Sequence, residues 1–467
     1  MTVRGRAHVG FRMRVGAVVA AVAGMASPFA TAQEWAVYGG VAGRIEYNDN
    51  YFFTAPGQST PGNPAVSNDP QSAFTLSLIP FVAAARRTEV SEVTALLSIG
   101  DNQVWGPSPS ENYLSGSLVL SGSLREARST WSGSASYTRS PQLQNVIVGT
   151  DVLLALAYTD AAGLAGSYSY ALTERWSVGA SAGGYYNRYD SVEGGYEISA
   201  DRGFNLGGNV GYAFSDRTQL TWTLGYMYYA SDITRNDAVT TTLGVVHQFS
   251  PQLTVSGSVG GFWSDITARE RLPGASTPVT AGESRRDSGP FYGGSISYAF
   301  SEFTRFGVSL SESLTPSGTG VLSKSDNAAI SLSHDFSDRL TGRFGASYTR
   351  TTFPAALDGS YDDDTLGAQA GISYRLAERW KLDAGYQYTS ARYSQVSSEP
   401  RSNLVFVSVA YNWPGSSFTG WLGRPMDMQG MPGAGPLSLP ERSTRTPGSS
   451  PSTTATEIAP FDALTLP

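Results

Sequence analysis

The sequence predicts an all-β protein: a transmembrane antiparallel up-and-down β-barrel of about 18 strands, within a range of 16–20. Three observations predict it. The first is a period-two hairpin at Ala328–Arg350. Ala328, Ile330, Leu332, His334 and Phe336 alternate with Ala329, Ser331, Ser333 and Asp335. After the turn Ser337-Asp338-Arg339, Leu340, Phe344, Ala346 and Tyr348 alternate with Thr341, Arg343, Ser347 and Thr349. Successive side chains on a strand face opposite sides, so each arm has one apolar and one small or polar face. The second observation is that this unit recurs about every 35–50 residues along the chain. The third is that no helical segment is available to cover the apolar face. A sheet with an uncovered apolar face fits lipid, and in lipid a sheet must close on itself so that no edge is left unpaired.

The composition agrees. The 467 residues are 15% charged and include 52 Gly, 25 Tyr and 9 Trp, which suits pleated walls with aromatic girdles. The mean hydropathy is −0.18, and outside the N-terminus no window reaches the roughly 18 apolar residues of a membrane helix. Cysteine is absent, which excludes disulfides and thiolate metal sites. Arg4, Arg6, Arg12 and Arg14 precede the apolar run Val15–Ala23, and Ala30-Thr31-Ala32 supplies an A-x-A cleavage site. Residues 1–32 are therefore read as a signal peptide, 33–413 as the barrel and 414–467 as a disordered Pro/Ser/Thr-rich tail. Cleavage removes four arginines and no acid, taking the formal charge from −7 to −11. An acidic exported chain without a basic patch is not a nucleic-acid binder.

From Glu34 onward the strands come in pairs. Starts are expected near Trp35, Ala73, Val90, Tyr113, Trp131, Gly163, Trp176, Phe204 and Gln219, then near Val239, Leu253, Tyr292, Arg305, Ala328, Leu340, Leu366, Trp380 and Leu404. Short turns of similar composition separate alternate strands, among them Leu172-Thr173-Glu174-Arg175-Trp176, Ser215-Asp216-Arg217 and Ser250-Pro251-Gln252. Longer Gly/Pro/Asn/Asp/Ser connections lie between, the largest at Asp49–Gln71 and Ala268–Asp287. An even count puts both chain ends on one side, with eight short turns there and nine long loops opposite; in bacterial barrels the short-turn side is periplasmic. Gln142–Asp160 could hide a further strand. The last strand alternates Val405, Val407, Val409, Tyr411 and Trp413 and stops on an aromatic, a pattern similar to the signal read by the barrel-assembly machinery. With the first strand directly after the cleavage site, no plug domain is expected.

The two phases sort into lipid and lumen. Trp222, Leu224, Tyr226 and Tyr228, like Leu382, Tyr386 and Tyr388, belong outside. Ser115, Ser117, Ser121 and Ser123 typify a neutral hydroxyl lining, which suits a hydrated solute of little charge. The expected pore-lining residues with charge or an amide are Arg44, Glu46, Arg305, Arg343, Arg375, Lys381, Asp383 and Gln387. Arg305, Arg343, Arg375 and Lys381 all sit near short turns, either as an electrostatic mouth or as wall-stiffening partners of Asp335 and Asp383. Asp362-Asp363-Asp364, read as part of a long loop, is a weak site for Ca²⁺ or for divalent bridging to lipopolysaccharide. No cofactor is implied. His247 and His334 fall on the outer phase, away from any serine or acid they could activate, which argues against an enzyme.

Three stretches carry a resemblance: Ile45-Glu46-Tyr47-Asn48-Asp49-Asn50, Tyr137-Thr138-Arg139-Ser140-Pro141, and the Leu172–Trp176 turn. On these the region Glu34–Trp413 resembles the β-barrel porin type 2 family. The resemblance implies an outer-membrane barrel associated with exopolysaccharide secretion, acting with a periplasmic polysaccharide-export protein. It implies no catalytic residues, and the tail departs from the family pattern. The expectation is a conduit for exopolysaccharide, embedded among outer-membrane lipid and lipopolysaccharide. The alternatives are a general diffusion porin for small solutes and a non-conducting structural or adhesive barrel.

Overall fold

The computed structural model describes residues 34–54, 70–106, 112–148, 151–191, 199–269, 282, 284–316, 322–353, 361–393 and 399–413. The expected signal peptide and tail lie outside them. Eighteen strands make up the described chain. The first nine are β1 (Glu34–Asn48), β2 (Ala73–Arg87), β3 (Ser91–Trp105), β4 (Tyr113–Arg125), β5 (Ser129–Val148), β6 (Asp151–Ala171), β7 (Trp176–Ser191), β8 (Asp201–Ser215) and β9 (Thr218–Ser231). The rest are β10 (Thr234–Gln248), β11 (Leu253–Ala268), β12 (Ser284–Ala299), β13 (Thr304–Pro316), β14 (Leu322–Ser337), β15 (Leu340–Phe353), β16 (Tyr361–Ala377), β17 (Trp380–Tyr393) and β18 (Arg401–Asn412). Each pairs antiparallel with its sequence neighbours, and β1 pairs with both β2 and β18, so the sheet is a closed barrel.

Closure joins segments more than 350 residues apart. Nine register pairs, from Gly40↔Asn412 to Asn48↔Leu404, form the seam. The Asn48-Asp49-Asn50 end of the quoted motif staples its top: Asn50 Nδ2 donates to the Arg401 carbonyl at 2.8 Å, Ser402 Oγ to Asn48 Oδ1 at 2.8 Å, and Asn403 Nδ2 to Asp49 Oδ2 at 2.7 Å. At the other end the Trp413 N–H donates to the Gly39 carbonyl at 2.7 Å. The start of β1 and the end of β18 therefore share the short-turn rim.

Five of the eight short turns look alike because one hydroxyl organises each. Thr173 Oγ1 accepts the N–H of Trp176 at 3.0 Å, Ser250 Oγ that of Leu253 at 3.1 Å, and Ser301 Oγ that of Thr304 at 3.1 Å. Ser337 and Thr88 do the same for Leu340 and Ser91. These are local side-chain turns that stand in for a missing ladder bond.

The exterior is ordered in bands. Near the short turns, rings pair across strands: Trp131–Tyr168 at 4.2 Å, Trp176–Tyr212 at 4.7 Å and Trp380–Tyr411 at 4.8 Å between centroids. His247 and His334 join this belt, each edge-on to Phe249 or Phe336 and each with Nδ1 2.8 Å from a threonine hydroxyl. The upper belt is tyrosine bound to carboxylate or amide: Tyr137 to Asp160, Tyr226 to Asp237, Tyr292 to Asp326, Tyr348 to Asp364 and Tyr386 to Asn403, at 2.6–2.9 Å. Leu224, Leu243, Val259, Ile330 and Ile372 are exposed between the belts. On β8 the step from Phe204 to Tyr212 is eight residues, about 27 Å of strand before tilt. That matches an apolar band about 25 Å tall.

The wall departs from regularity at β12–β13. Pairing there covers only Gly293–Ala299 with Arg305–Ser311. Above it β12 stays on β11 as far as Ser284, and β13 stays on β14 as far as Pro316. Leu314 shares its alternation with Phe306, Val308 and Leu310, yet it is buried with Tyr229, Ala238 and Phe262 of the opposite phase. The upper arm of β13 has thus turned into the barrel.

Four sequence expectations need correction. Gln142–Asp160 is no extra strand but the paired upper arm of β5–β6, which reaches Val148↔Asp151. Asp362-Asp363-Asp364 lies in β16, not in a loop. The β9–β10 link is only Asp232 and Ile233, not a long loop. Of the strands that begin at the loop end, β2 and β4 start at Ala73 and Tyr113 as expected, and the others start earlier, most clearly β6, β12 and β14 at Asp151, Ser284 and Leu322.

Two pairs of variants check this architecture. Leu243→Arg, on the lipid face between the belts, should lower folding stability by about 2–4 kcal/mol, whereas lumenal Thr242→Arg should cost under about 1 kcal/mol. Gly260 meets the Thr241 carbonyl where a Cβ would stand, while Gly257 has open space. Gly260→Ala should therefore cost about 1–3 kcal/mol and Gly257→Ala almost nothing, both read from urea unfolding of detergent-refolded protein.

Candidate functional site: the barrel lumen

Register carries one phase around the whole ring, so the lumenal set follows from pairing alone. Small hydroxyls on it satisfy one another across strands. Ser98 and Ser117 lie 2.8 Å apart, Ser132 and Ser167 2.6 Å, and Ser256 and Ser295 2.7 Å. Ser77 donates to Asn102 Oδ1 at 2.6 Å and Asn102 in turn donates to Ser115 at 2.9 Å. From β4 round to β11 and again from β14 to β17, most lumenal residues near the short turns are exposed or half-buried, while those near the long loops are buried. Ser121, Ser123 and Ser132 belong to the first group; Ser115, Ser117, Thr349 and Thr389 belong to the second. The lumen is thus open at the short-turn rim and closed in above.

All eight pore-lining candidates lie on the lumenal phase. Arg44 Nη2 is 2.9 Å from Glu46 Oε2, and its guanidinium lies 4.1 Å over the Phe406 ring. Lys381 Nζ, buried, is 3.1 Å from Asp383 Oδ1. Arg305 and Arg343 both stand opposite Ser333, and Arg375 stands opposite Lys381. Gln387 faces Gln369 in register. Arg305 and Arg375 make no ion pair among the described residues. Asp335 is held by Thr341 Oγ1 at 2.7 Å. The set divides: Arg44 with Glu46 and Lys381 with Asp383 form two ion pairs within their strands, and Arg305 and Arg375 stand near the short turns without an ion pair among the described residues.

Asp362-Asp363-Asp364 does not form a cation site, because consecutive strand residues face opposite ways. Asp362 and Asp364 take Arg350, at 2.9 and 3.9 Å, together with Thr352 and Tyr348 on the outer face. Asp363 is lumenal, on the same phase as Thr351 and Tyr393. Among the described residues no group of three or more histidine or acidic side chains could hold a metal ion.

Two features escaped the sequence reading. The lining is not uniformly hydroxyl: Ala42, Ile79, Phe81 and Ala410, with Tyr38 and Leu96, make an apolar patch on β1–β3 and β18. A second patch joins Tyr185, Met227, Tyr229, Ala238, Phe262, Phe291 and Leu314. Beside that second patch sits Asp201, 1% exposed, whose Oδ2 accepts from Tyr189 at 2.6 Å and whose Oδ1 accepts from Asn187 at 3.1 Å. The signal available was the lumenal spacing Tyr185, Asn187, Tyr189, which breaks the Ser/Gly texture of its neighbours.

A closed 18-stranded antiparallel wall, greasy outside between two aromatic belts and polar within, defines an outer-membrane β-barrel of the channel type. The family comparisons agree. Residues 285–412 match the profile of a family described as "Putative beta-barrel porin 2", in line with the resemblance drawn from the sequence. Residues 68–227 match one described as "Putative MetA-pathway of phenol degradation". Among curated proteins none matches the chain. Similar solved structures include Pseudomonas aeruginosa OpdK with vanillate, at 13% identity and TM-score 0.43, covering 81% of this chain and 99% of that one. P. aeruginosa OccK5 (OpdH) gives 10% identity and TM-score 0.42, with 81% and 98% covered. Acinetobacter baumannii OccAB4 gives 11% identity and TM-score 0.41, with the same shares of 81% and 98%.

The unpaired arginines give a direct check. Replacing Arg305 and Arg375 together by alanine should move the reversal potential in a salt gradient toward greater cation preference, and replacing Lys381 and Asp383 together should move it much less.

Proposed function

We propose that the protein is a passive outer-membrane channel for small, partly apolar solutes about the size of one aromatic ring. The observation that carries this reading is the second lumenal patch in the closed-in half of the barrel, where half-buried Tyr185, Met227 and Phe291 pack over buried Tyr229, Phe262 and Leu314 and keep apolar surface on the lumenal side. A polysaccharide needs a continuous hydrated path with hydroxyl and amide partners. Aromatic and aliphatic surface instead favours a solute that gains by leaving water. The phenol-degradation description of the family matched by residues 68–227 points the same way. The exopolysaccharide expectation therefore gives way to its small-solute alternative. The outer tyrosine–carboxylate–arginine belt suits the headgroups of the outer leaflet, including lipopolysaccharide.

Liposome swelling with the purified mature chain tests the proposal. Phenol-sized solutes should enter proteoliposomes well above the protein-free rate, and linear oligosaccharides of six sugars should not. Entry of the oligosaccharide with exclusion of the aromatic would overturn the reading.

A further inference from the structure

Asp201 is a carboxylate in the lumen wall whose charge has no cationic partner among the described residues. Tyr189 and Asn187 supply two neutral donors, and an ionised carboxylate can accept about four hydrogen bonds. Burying a charge this way is costly unless a counter-charge arrives. The rings of Tyr185, Tyr189 and Tyr229 share the lumenal phase beside it on β7 and β9. Aromatic faces with a nearby carboxylate are the surroundings that stabilise an ammonium. The Tyr229 hydroxyl has no exposed surface and no hydrogen-bond partner among the described residues, and the Tyr185 hydroxyl has none either. Below them Phe262, Phe291 and Leu314 offer an apolar floor for a ring.

We propose that this cluster, Asp201 with Tyr185, Tyr189 and Tyr229 over the Phe262–Leu314 floor, is a binding station in the channel that takes aromatic solutes carrying a protonated amine. It deepens the small-solute reading and rests on it. The ammonium sits against the Asp201 carboxylate and the tyrosine faces, the ring lies on the floor, and a ring hydroxyl meets Tyr229 or Tyr185. A benzoate-like solute would bring a second negative charge to a buried carboxylate and is disfavoured there. Arg305 and Arg375 at the rim do not alter this choice, because they stand on other strands near the short turns, at the opposite end of the lumen.

The test compares three probes of one ring size in proteoliposomes and planar bilayers made with the full mature chain: phenethylamine, benzyl alcohol and benzoate. Phenethylamine should cross about tenfold faster than benzoate, a difference of about 1.4 kcal/mol in barrier height. Asp201→Asn keeps the shape and should bring that ratio near one, with benzyl alcohol unchanged. Asp363→Asn, at the other buried lumenal carboxylate, should leave the ratio alone. Tyr229→Phe gives a second route: it should slow tyramine about threefold relative to phenethylamine. The proposal is overturned if Asp201→Asn folds and keeps the ratio, or if benzoate is preferred by the unaltered protein. If benzyl alcohol crosses while phenethylamine and benzoate cross at equal rates, the station is wrong and the channel stands. If none of the three crosses, the channel reading itself fails.

Discussion

Hydrocarbon offers no partner to a peptide group, and this constraint organises the whole molecule. Every N–H and C=O between the two aromatic belts must be bonded to a neighbouring strand, which forces the ring to close. The β1–β18 seam, stapled at the top by Asn48, Asp49 and Asn50 and at the bottom by Trp413, is where the chain meets that demand across its full length. The same constraint explains where the wall is allowed to break. β12 and β13 part above Gly293↔Ser311, and the next residue of β12 is Tyr292, a member of the upper belt. Unpaired backbone thus begins where lipid ends, and two independent features mark one membrane surface.

That boundary also explains what could be read from the sequence. Alternation is visible only where one face meets lipid and the other does not. Strands entered from the short-turn end, such as β3 at Ser91, β7 at Trp176, β15 at Leu340 and β17 at Trp380, lie close to where the pattern puts them. Some strands entered from the loop end, β12 and β14 among them, carry polar residues on both faces until they reach the belt. Ser284–Pro290 and Leu322–Asn327 therefore looked like loop. The same blindness made Asp362-Asp363-Asp364 look like an acidic loop, when it is a strand with two carboxylates facing out and one facing in.

The lumenal phase was legible, but its chemistry was not. Parity placed Arg44, Glu46, Lys381 and Asp383 on one face, and the side-chain geometry shows that Arg44 pairs with Glu46 and Lys381 with Asp383, each two residues on along its own strand. Likewise Leu314 reads as a lipid-facing residue by alternation, and it is the turn of the β13 arm that carries it onto Phe262. Nothing local in the sequence marks that turn. It follows from the loss of pairing with β12, a long-range property of the wall. The closed-in upper lumen therefore depends on a strand that gives up its neighbour on one side.

Both described ends of the chain sit on the short-turn rim, and this has a consequence for how such a wall can be built. Neither described end, Glu34 nor Trp413, need cross the bilayer. Every passage is made by a hairpin, whose polar tip alone is dragged through the oil. The β9–β10 tip, Asp232-Ile233, is two residues long with a single charge, so this pair faces a low barrier to translocation and carries with it Tyr229, the residue at the heart of the closed-in upper lumen.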